Sequence, residues 1–418
     1  MGVRTWPPPT GTFRVLIPLR VRERTGRIPA LIIGVGLNAL GVMRSLGREA
    51  IPFYNVNPQR GYVQSSRWHR PVPRRWGRLE EGQPLAPYLE QLPLERAVLI
   101  PTSDDRVQEV ADLAPALRER FLSATPPSEI VRALLDKQLL AELLAERGLP
   151  HPRTIDVRDA GEFAHLEAVL HGNAFLKPRD SLSFNRRYGV KAFRVTSRDD
   201  AVARFEQLHG HPVVLQEYIP GDAGRHFFID GFIDRHGVTT ALFARRRVRM
   251  YPHDFGNSSS LISVPLAEVA GARRTLERLL GDLRYRGIFS AEFKLDPRDG
   301  VFKLLEVNCR SWLFNGFAAD SGVDTTVMAY HDALGLPVEP VTRYREGAKL
   351  VYSFNDFRAA WRLYRRSELR LGEALKFWAG ARDALFRWDD PLPFFRYALQ
   401  QFARIGRSAL PARIQSRP

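Results

Sequence analysis

The sequence predicts an α/β protein: an N-terminal parallel-sheet domain, then an α+β domain, then a helical C-terminal region. Three observations carry that expectation. Strand and helix patterns alternate between residues 29 and 125. Strand patterns dominate from 126 to 340, interrupted by helical runs at the start and near 266 to 284. From 341 to 418 the chain reads as helical, arginine-rich and aromatic. With 418 residues, 44% hydrophobic and 26% charged, the composition suits a globular protein of roughly two to four domains.

Residues 1–28 are basic and proline-bearing and form the expected tail, without the apolar stretch or cleavage site of a signal peptide. The first domain, expected over 29–125, opens on "LIIGVGLNALGVMRSLG", an apolar strand running into a glycine turn and a helix over about 38 to 47. Gly34, Gly36 and Ala39 match the G-x-G-x-x-G/A spacing that lets backbone approach a pyrophosphate, so a nicotinamide-dependent oxidoreductase is one reading. It requires an acidic residue roughly 20 positions on to bind ribose hydroxyls. Asn55 and Asn57 stand there instead. "IPFYNV" and "AVLIPTSDD" are the next strands, followed by a helix expected from about 104 to 120. Open α/β sheets hold ligands beyond strand C-termini, which makes Asp104 a candidate substrate contact; Ser103 and Asp104 equally suit a helix cap.

The second unit, expected over 126–340, begins "TPPSEIVRALLDKQLLAELLAERGLPHP", with Ser128 and Asp136 as helix caps and Gly148 then Pro150 as stop signals. Strands follow at "AFLKP", "VKAFRV", "VVLQEYIPG", "HFFIDGFID", "VTTALFA", "FSAEFKL" and "VFKLLEV". "RRRVRMYPHDFGNSSS", residues 245–260, reads as a basic strand with Arg247 and Arg249 on one face, followed by a serine-rich loop.

The net charge of +16 and pI near 10.3 invite a nucleic-acid reading. Yet 55 of the 62 basic residues are arginines spread along the whole chain, with no helix-turn-helix, zinc-finger or RNA-binding aromatic signature, so no nucleic-acid partner is expected. Five of the seven lysines, Lys137, Lys177, Lys191, Lys294 and Lys303, fall within one stretch, where a compact ammonium does what a guanidinium fork does not. No apolar run approaches the roughly 18 residues that span a bilayer. The single cysteine, Cys309, excludes an internal disulfide and a cysteine-based metal site. Both features point to the cytoplasm.

The chemistry concentrates in "FSAEFKLDPRDGVFKLLEVNCR", residues 289–310. Phe289, Ala291, Phe293 and Leu295 alternate with Ser290, Glu292, Lys294 and Asp296, and "DPRDG" turns the chain into a second strand. A loop over 297–301 sets Asp296 opposite Phe302, Glu292 opposite Glu306 and Ser290 opposite Asn308. Facing carboxylates destabilise a strand pair unless a cation lies between them. Two carboxylates and the Asn308 amide oxygen are hard ligands suited to Mg²⁺ that also takes phosphate oxygens. Arg310 follows two residues on, placed to hold a phosphate or carboxylate in its fork.

In order, "DK" at 136–137, "FLKP" at 175–178, "QEYIPG" at 216–221, the strand bearing Glu292 and "LLEVNCR" at 304–310 resemble the ATP-grasp superfamily, nearest its carboxylate-amine ligases of the D-aspartate ligase type. The resemblance covers about residues 30–340. It implies a pre-ATP-grasp, Rossmann-like first domain and an ATP-grasp second domain. It also implies ATP and Mg²⁺ as cofactors, with Lys137, Lys177 and Ser181 on the phosphates and Gln216, Glu217, Tyr218 and Ile219 at the adenine hinge. His226 would lie toward ribose or phosphate, and Glu292, Glu306 and Asn308 would hold the metal. Arg310 and Arg247 would be catalytic, and Asp104, Arg249 and Tyr251 would touch the substrate. Two departures stand out: "PRDSLSFNRRYG" (178–189) replaces the usual glycine-rich phosphate loop, and Cys309 stands where the family commonly has proline.

The implied activity is ligation of a small-molecule carboxylate to an amine through an acyl phosphate. A different class of function, a non-catalytic nucleotide-binding protein at a membrane surface, draws on residues 341–418. These hold 16 basic against 7 acidic residues, with Trp361, Tyr364, Trp378, Trp388, Phe394 and Phe395 interspersed.

Overall fold

A computed structural model describes residues 28–159, 161, 163, 173–179, 192–208, 210–252 and 256–408. Ser181 and the rest of the 180–191 segment lie outside the described residues. Among them, no helix is long and apolar enough to cross a membrane.

The first sheet is parallel, in the order β2-β1-β3-β4, from β1 (Ala30–Ile33), β2 (Phe53–Asn55), β3 (Ala97–Pro101) and β4 (Phe121–Leu122). Every residue of β1 and β3 is buried, which is why they read as continuous apolar runs. The helix after β1 spans Gly36–Arg48. The single helix expected over 104–120 is two, Asp104–Ala111 and Pro115–Arg120. Pro115 disfavours helical backbone at Ala114 and supplies no N–H to continue the first helix, so it starts the second.

A small antiparallel sheet follows, ordered β5-β8-β6-β7, from β5 (Thr154–Val157), β6 (Ala174–Pro178), β7 (Phe193–Val195) and β8 (Val213–Glu217). The third sheet has seven strands in the order β13-β12-β9-β10-β11-β14-β15. They are β9 (His226–Ile233), β10 (Thr239–Tyr251), β11 (Asn257–Ser263), β12 (Gly287–Leu295), β13 (Phe302–Asn308), β14 (Lys349–Val351) and β15 (Ala381–Asp383). The helical C-terminal region is present and adds β14 and β15 to this sheet.

One face of the large sheet is apolar: Phe227, Ile229, Phe289, Ala291, Phe293, Leu304 and Val307 pack against Leu276, Leu279 and Leu280 of the Ala270–Asp282 helix. The other face carries His226, Phe228 and Asp230 on β9 and, in register with them, Lys294, Glu292 and Ser290 on β12. Toward the first domain the same face turns apolar again, and Phe228, Phe243 and Phe317 join Ala30, Ile32 and Leu40 in one core.

Three expectations are corrected. First, the serine-rich loop is strand β11, with Ser258, Ser259 and Ser260 buried and paired to β10. Serine reads as loop by composition, but here the Ser258 and Ser259 hydroxyls meet the buried charges of Arg247 and Asp356. Second, Phe302 pairs with Leu295, not Asp296, because Asp296 closes the turn through its N–H to the Val301 carbonyl. The register slips between Glu292 and Phe293, leaving Leu305 without an opposite residue and restoring Glu292 to Glu306 and Ser290 to Asn308. That bulge is also what lets Leu304 and Val307, three residues apart, share the apolar face. Third, Ser128 does not cap: Pro127 precedes the helix, and the Ser128 hydroxyl donates to Asp112. Asp136 does cap, accepting from the Gln138 and Leu139 N–H groups at 2.8 and 3.2 Å.

Candidate active site

Between the small sheet and the polar face of the large one lies a cleft of about 810 Å³. Of the residues singled out in the sequence, Lys137, Lys177, Gln216, Glu217, Tyr218, Ile219, His226, Arg247, Arg249, Glu292 and Glu306 line it. Asp104, Tyr251, Asn308 and Arg310 are outside that lining.

The small sheet supplies one wall. Alternation along β6 turns Lys177 toward the cleft while Leu176 joins the sheet's own core. The Lys177 ammonium donates to Gln216 Oε1 at 2.6 Å, and Gln216 Nε2 donates to Thr154 Oγ1 at 3.1 Å. Burial and then the Lys137 charge lower Lys177 from 10.5 to about 8. At the end of β8, Glu217 pairs with Arg298 at 2.7 Å, and the Tyr218 ring lies 5.1 Å from both the Arg194 guanidinium and the Lys294 ammonium. Burial and then Arg247 lower Lys294 to about 8 as well.

The large sheet supplies the floor. Glu292 and Glu306 are direct cross-strand partners. Glu292 Oε1 accepts from His226 Nδ1 at 2.7 Å and from Arg247 Nη2 at 3.0 Å. Burial, followed by the Arg247 charge, lowers His226 to about 4, so at neutral pH its ring is uncharged and donates to the carboxylate through Nδ1–H. His226 is therefore turned to Glu292. Arg247 also donates from Nε to Ser258 Oγ at 2.9 Å. Arg247 and Arg249 both line the cleft, although β10–β11 pairing slips between them and each holds a different carboxylate. Arg249 is clamped by Asp356, which also accepts from Ser259 Oγ at 2.8 Å and Trp378 Nε1 at 2.7 Å. Tyr251 ends β10 with its ring 5.8 Å from the Arg358 guanidinium.

Beyond Glu306 a line of polar contacts leaves the cleft. Asn308 Nδ2 donates to Glu306 Oε1 at 3.2 Å, Arg310 Nη2 donates to Asn308 Oδ1 at 3.0 Å, and Arg310 grips Asp104 bidentately at 2.7 and 3.0 Å. The two residues proposed for phosphoryl and substrate contact thus pair with each other across the joint between the first domain and the hairpin. Cys309, between Asn308 and Arg310 in sequence, is buried, and burial pushes its thiol up to about 12, a packing group rather than a nucleophile.

The donor set suits Mg²⁺. Among the described residues no three His, Cys, Asp or Glu side chains converge to hold a metal. Two carboxylates and an amide oxygen are what Mg²⁺ takes when phosphates and water complete its shell.

The glycine loop of the first domain is occupied by its own chain. The Gly34 N–H donates to Asn57 Oδ1 at 2.7 Å, the Gly36 N–H to Gln59 Oε1 at 3.3 Å, and Gln59 Nε2 donates back to the Gly34 carbonyl at 2.8 Å. Gly34 has φ +127°, and a Cβ there would lie 2.1 Å from Thr102 Oγ1, so backbone conformation and packing together require glycine at this turn.

Two features escaped the sequence reading. Asp230, buried in β9, binds Arg245 Nε and Ser290 Oγ, each at 2.6 Å, and the Arg245 guanidinium stacks 3.9 Å from the Phe228 ring centroid. Its signal was an acid in the middle of the apolar run "HFFIDGFI". Leu363, Glu368 and Leu369 of the C-terminal region complete the cleft wall, and Asp356, a lone acid in "SFNDFRAAWRLYR", ties that region to β10.

No family model matches the chain. Over 242 residues, 55% of this chain, it is 25% identical to D-aspartate ligase of Enterococcus faecium, and the match spans 57% of that protein. The chain thus covers little more than half the length of this curated relative. N5-carboxyaminoimidazole synthetase from Staphylococcus aureus, complexed with ADP, superposes with TM-score 0.60 at 13% identity over 77% of this chain and 81% of its own. The biotin carboxylase domain of Hydrogenobacter thermophilus 2-oxoglutarate carboxylase, with Mg-ADP, ADP and bicarbonate, gives TM-score 0.56 at 14% identity over 77% and 73%. The fold is thus shared with these two structures, as the sequence resemblance led one to expect: a parallel-sheet domain, a core of two sheets around a cleft, and here a helical C-terminal region.

Proposed function

We propose that the protein is an ATP- and Mg²⁺-dependent carboxylate-amine ligase. The observation that carries this reading is the pairing of Glu292 with Glu306 on the floor of a cleft whose facing wall presents Lys177. Carboxylates set opposite each other call for a cation, and ammonium groups held in a partly dry cleft call for an anion. A magnesium nucleotide satisfies both. The D-aspartate ligase likeness and the ADP and Mg-ADP bound by the structural neighbours support the same ligand.

In this reading Lys137 and Lys177 position the phosphates, and Gln216, Glu217, Tyr218 and Ile219 border the adenine. Glu292, Glu306 and Asn308 hold Mg²⁺, which when bound neutralises phosphate charge. A substrate carboxylate oxygen attacks the γ-phosphorus, the bond to the bridging oxygen breaks, and ADP leaves. An amine then attacks the acyl carbon, phosphate departs, and the amine nitrogen gives up a proton to yield the amide. Arg247, fixed by Ser258 and Glu292, and Arg310, fixed by Asp104, stabilise the charge that develops on the transferring group. Burial of the cleft between sheets limits hydrolysis of the acyl phosphate.

ADP release from Mg-ATP, screened across amino acids and small carboxylates beginning with D-aspartate, identifies the substrate pair. The Glu306→Ala variant should lose both turnover and Mg²⁺-dependent ATP binding. Wild-type turnover in that variant would overturn the assignment.

A further inference from the structure

The helix Leu392–Ser408 packs one side against the protein through Phe394 and Tyr397, which meet Phe354, Tyr352 and Tyr62. Its other side is apolar and, among the described residues, uncovered. Leu392, Phe395, Leu399 and Phe402 recur at the spacing of one helical face, with Leu399 69% and Phe402 63% exposed, Phe402 at the edge where its ring also meets Phe354. Trp388, just before the helix, is 91% exposed and extends this stripe through Phe386, which contacts both Trp388 and Phe395. A soluble surface scatters such residues singly, so a contiguous row of large side chains marks a place where something docks.

Charge in the sequence identifies the occupant. From residue 388 to 418 the sequence holds five arginines, Arg396, Arg404, Arg407, Arg413 and Arg417, against two acids, Asp389 and Asp390, which Arg48 and Arg44 already hold. A second copy would set arginine against arginine. Residues 1–27 of this chain, with six arginines and one glutamate, carry the same sign and offer no charge complement. An anionic lipid surface answers both halves of the pattern: its headgroups take the guanidiniums, and its interface takes tryptophan, phenylalanine and leucine.

We propose that the Trp388–Phe402 face docks the protein on anionic membranes, the helix lying in the interfacial plane. This inference does not depend on the reaction catalysed in the cleft.

The test is co-sedimentation of the full chain with phosphatidylcholine vesicles with and without phosphatidylglycerol, at low and high salt. Binding is expected only with phosphatidylglycerol, and it should weaken about tenfold at high salt, where headgroup attraction is screened. Combining Phe395→Ser, Leu399→Ser and Phe402→Ser should abolish it, with the melting temperature checked to show the fold intact; Arg396→Glu alone should weaken it severalfold. Tryptophan emission should shift blue on the anionic vesicles, and Trp388→Phe should remove most of that shift. Failure to bind phosphatidylglycerol vesicles would overturn the proposal. So would a concentration-dependent dimer in sedimentation velocity that the triple substitution dissolves, since a second copy would then own the face.

Discussion

The molecule contains two places that look built for a nucleotide, the glycine loop after β1 and the cleft over β12 and β13, and they differ in what their polar groups already hold. In the loop, the Gly34 and Gly36 N–H groups are taken by the Asn57 and Gln59 amides, neutral partners that leave little for a pyrophosphate. In the cleft, like charges face one another: Glu292 opposite Glu306, and Lys177 near Lys137 and Lys294, each lysine among Lys177 and Lys294 lowered to about 8. A glycine spacing describes only where backbone can go. Like charges gathered on facing walls describe where a ligand of mixed charge fits.

The comparison breaks in measurable ways. The largest expected effect concerns the buried support of the cleft: Asp230→Ala strands the Arg245 guanidinium inside the sheet and should cost about 3–5 kcal/mol in denaturant unfolding. An unchanged midpoint would mean that solvent reaches Arg245. Next, Lys177→Met should lower ATP-driven turnover on the order of 10²–10³-fold while leaving stability near wild type, since it removes a charge aimed at the nucleotide. Equal losses from Lys177→Met and a loop variant would erase the distinction between the two regions. In the loop, Asn57→Ala leaves the Gly34 N–H unpaired and should cost about 1–3 kcal/mol, with no change in nucleotide affinity by calorimetry.

The smallest effect is on pH. Lys177 titrates near 8 in the folded protein against 10.5 ordinarily, so protonation below about pH 8 weighs against the fold, and that penalty is relieved as pH rises from 8 toward 10.5. Nucleotide binding runs the other way, because it uses the ammonium: affinity should decline as pH passes about 8, and Lys177→Arg should remove that decline. An affinity profile that stays flat through pH 9 in the wild-type protein would remove Lys177 from the phosphate site.

Much of the cleft was legible because its residues sit on alternating strands. The pattern from Phe289 to Asp296 places Glu292 and Lys294 on one face whatever the rest of the chain does, and the facing of Glu292 with Glu306 follows from the hairpin. What escaped was non-local. The bulge at Leu305 corrects a turn that closes one residue earlier than expected, so the anticipated pairing of the carboxylates arises by a different route. The β11 serines read as a loop because their buried partners, Arg247 and Asp356, come from other elements. The engagement of Arg310 with Asp104 joins residues 206 apart, and no local window contains both.

Local pattern therefore decided which segments become strands and which side chains share a face, since pleat and helical period act over a few residues at a time. Packing decided what those side chains are free to do. Asn57 occupies the glycine loop, Asp356 engages the Arg249 guanidinium at the cleft wall, and the C-terminal region, read from sequence as a basic appendage, walls the cleft with Leu363 and Glu368. Whether a polar group is spent or available depends on partners that only the folded chain brings within about 3 Å.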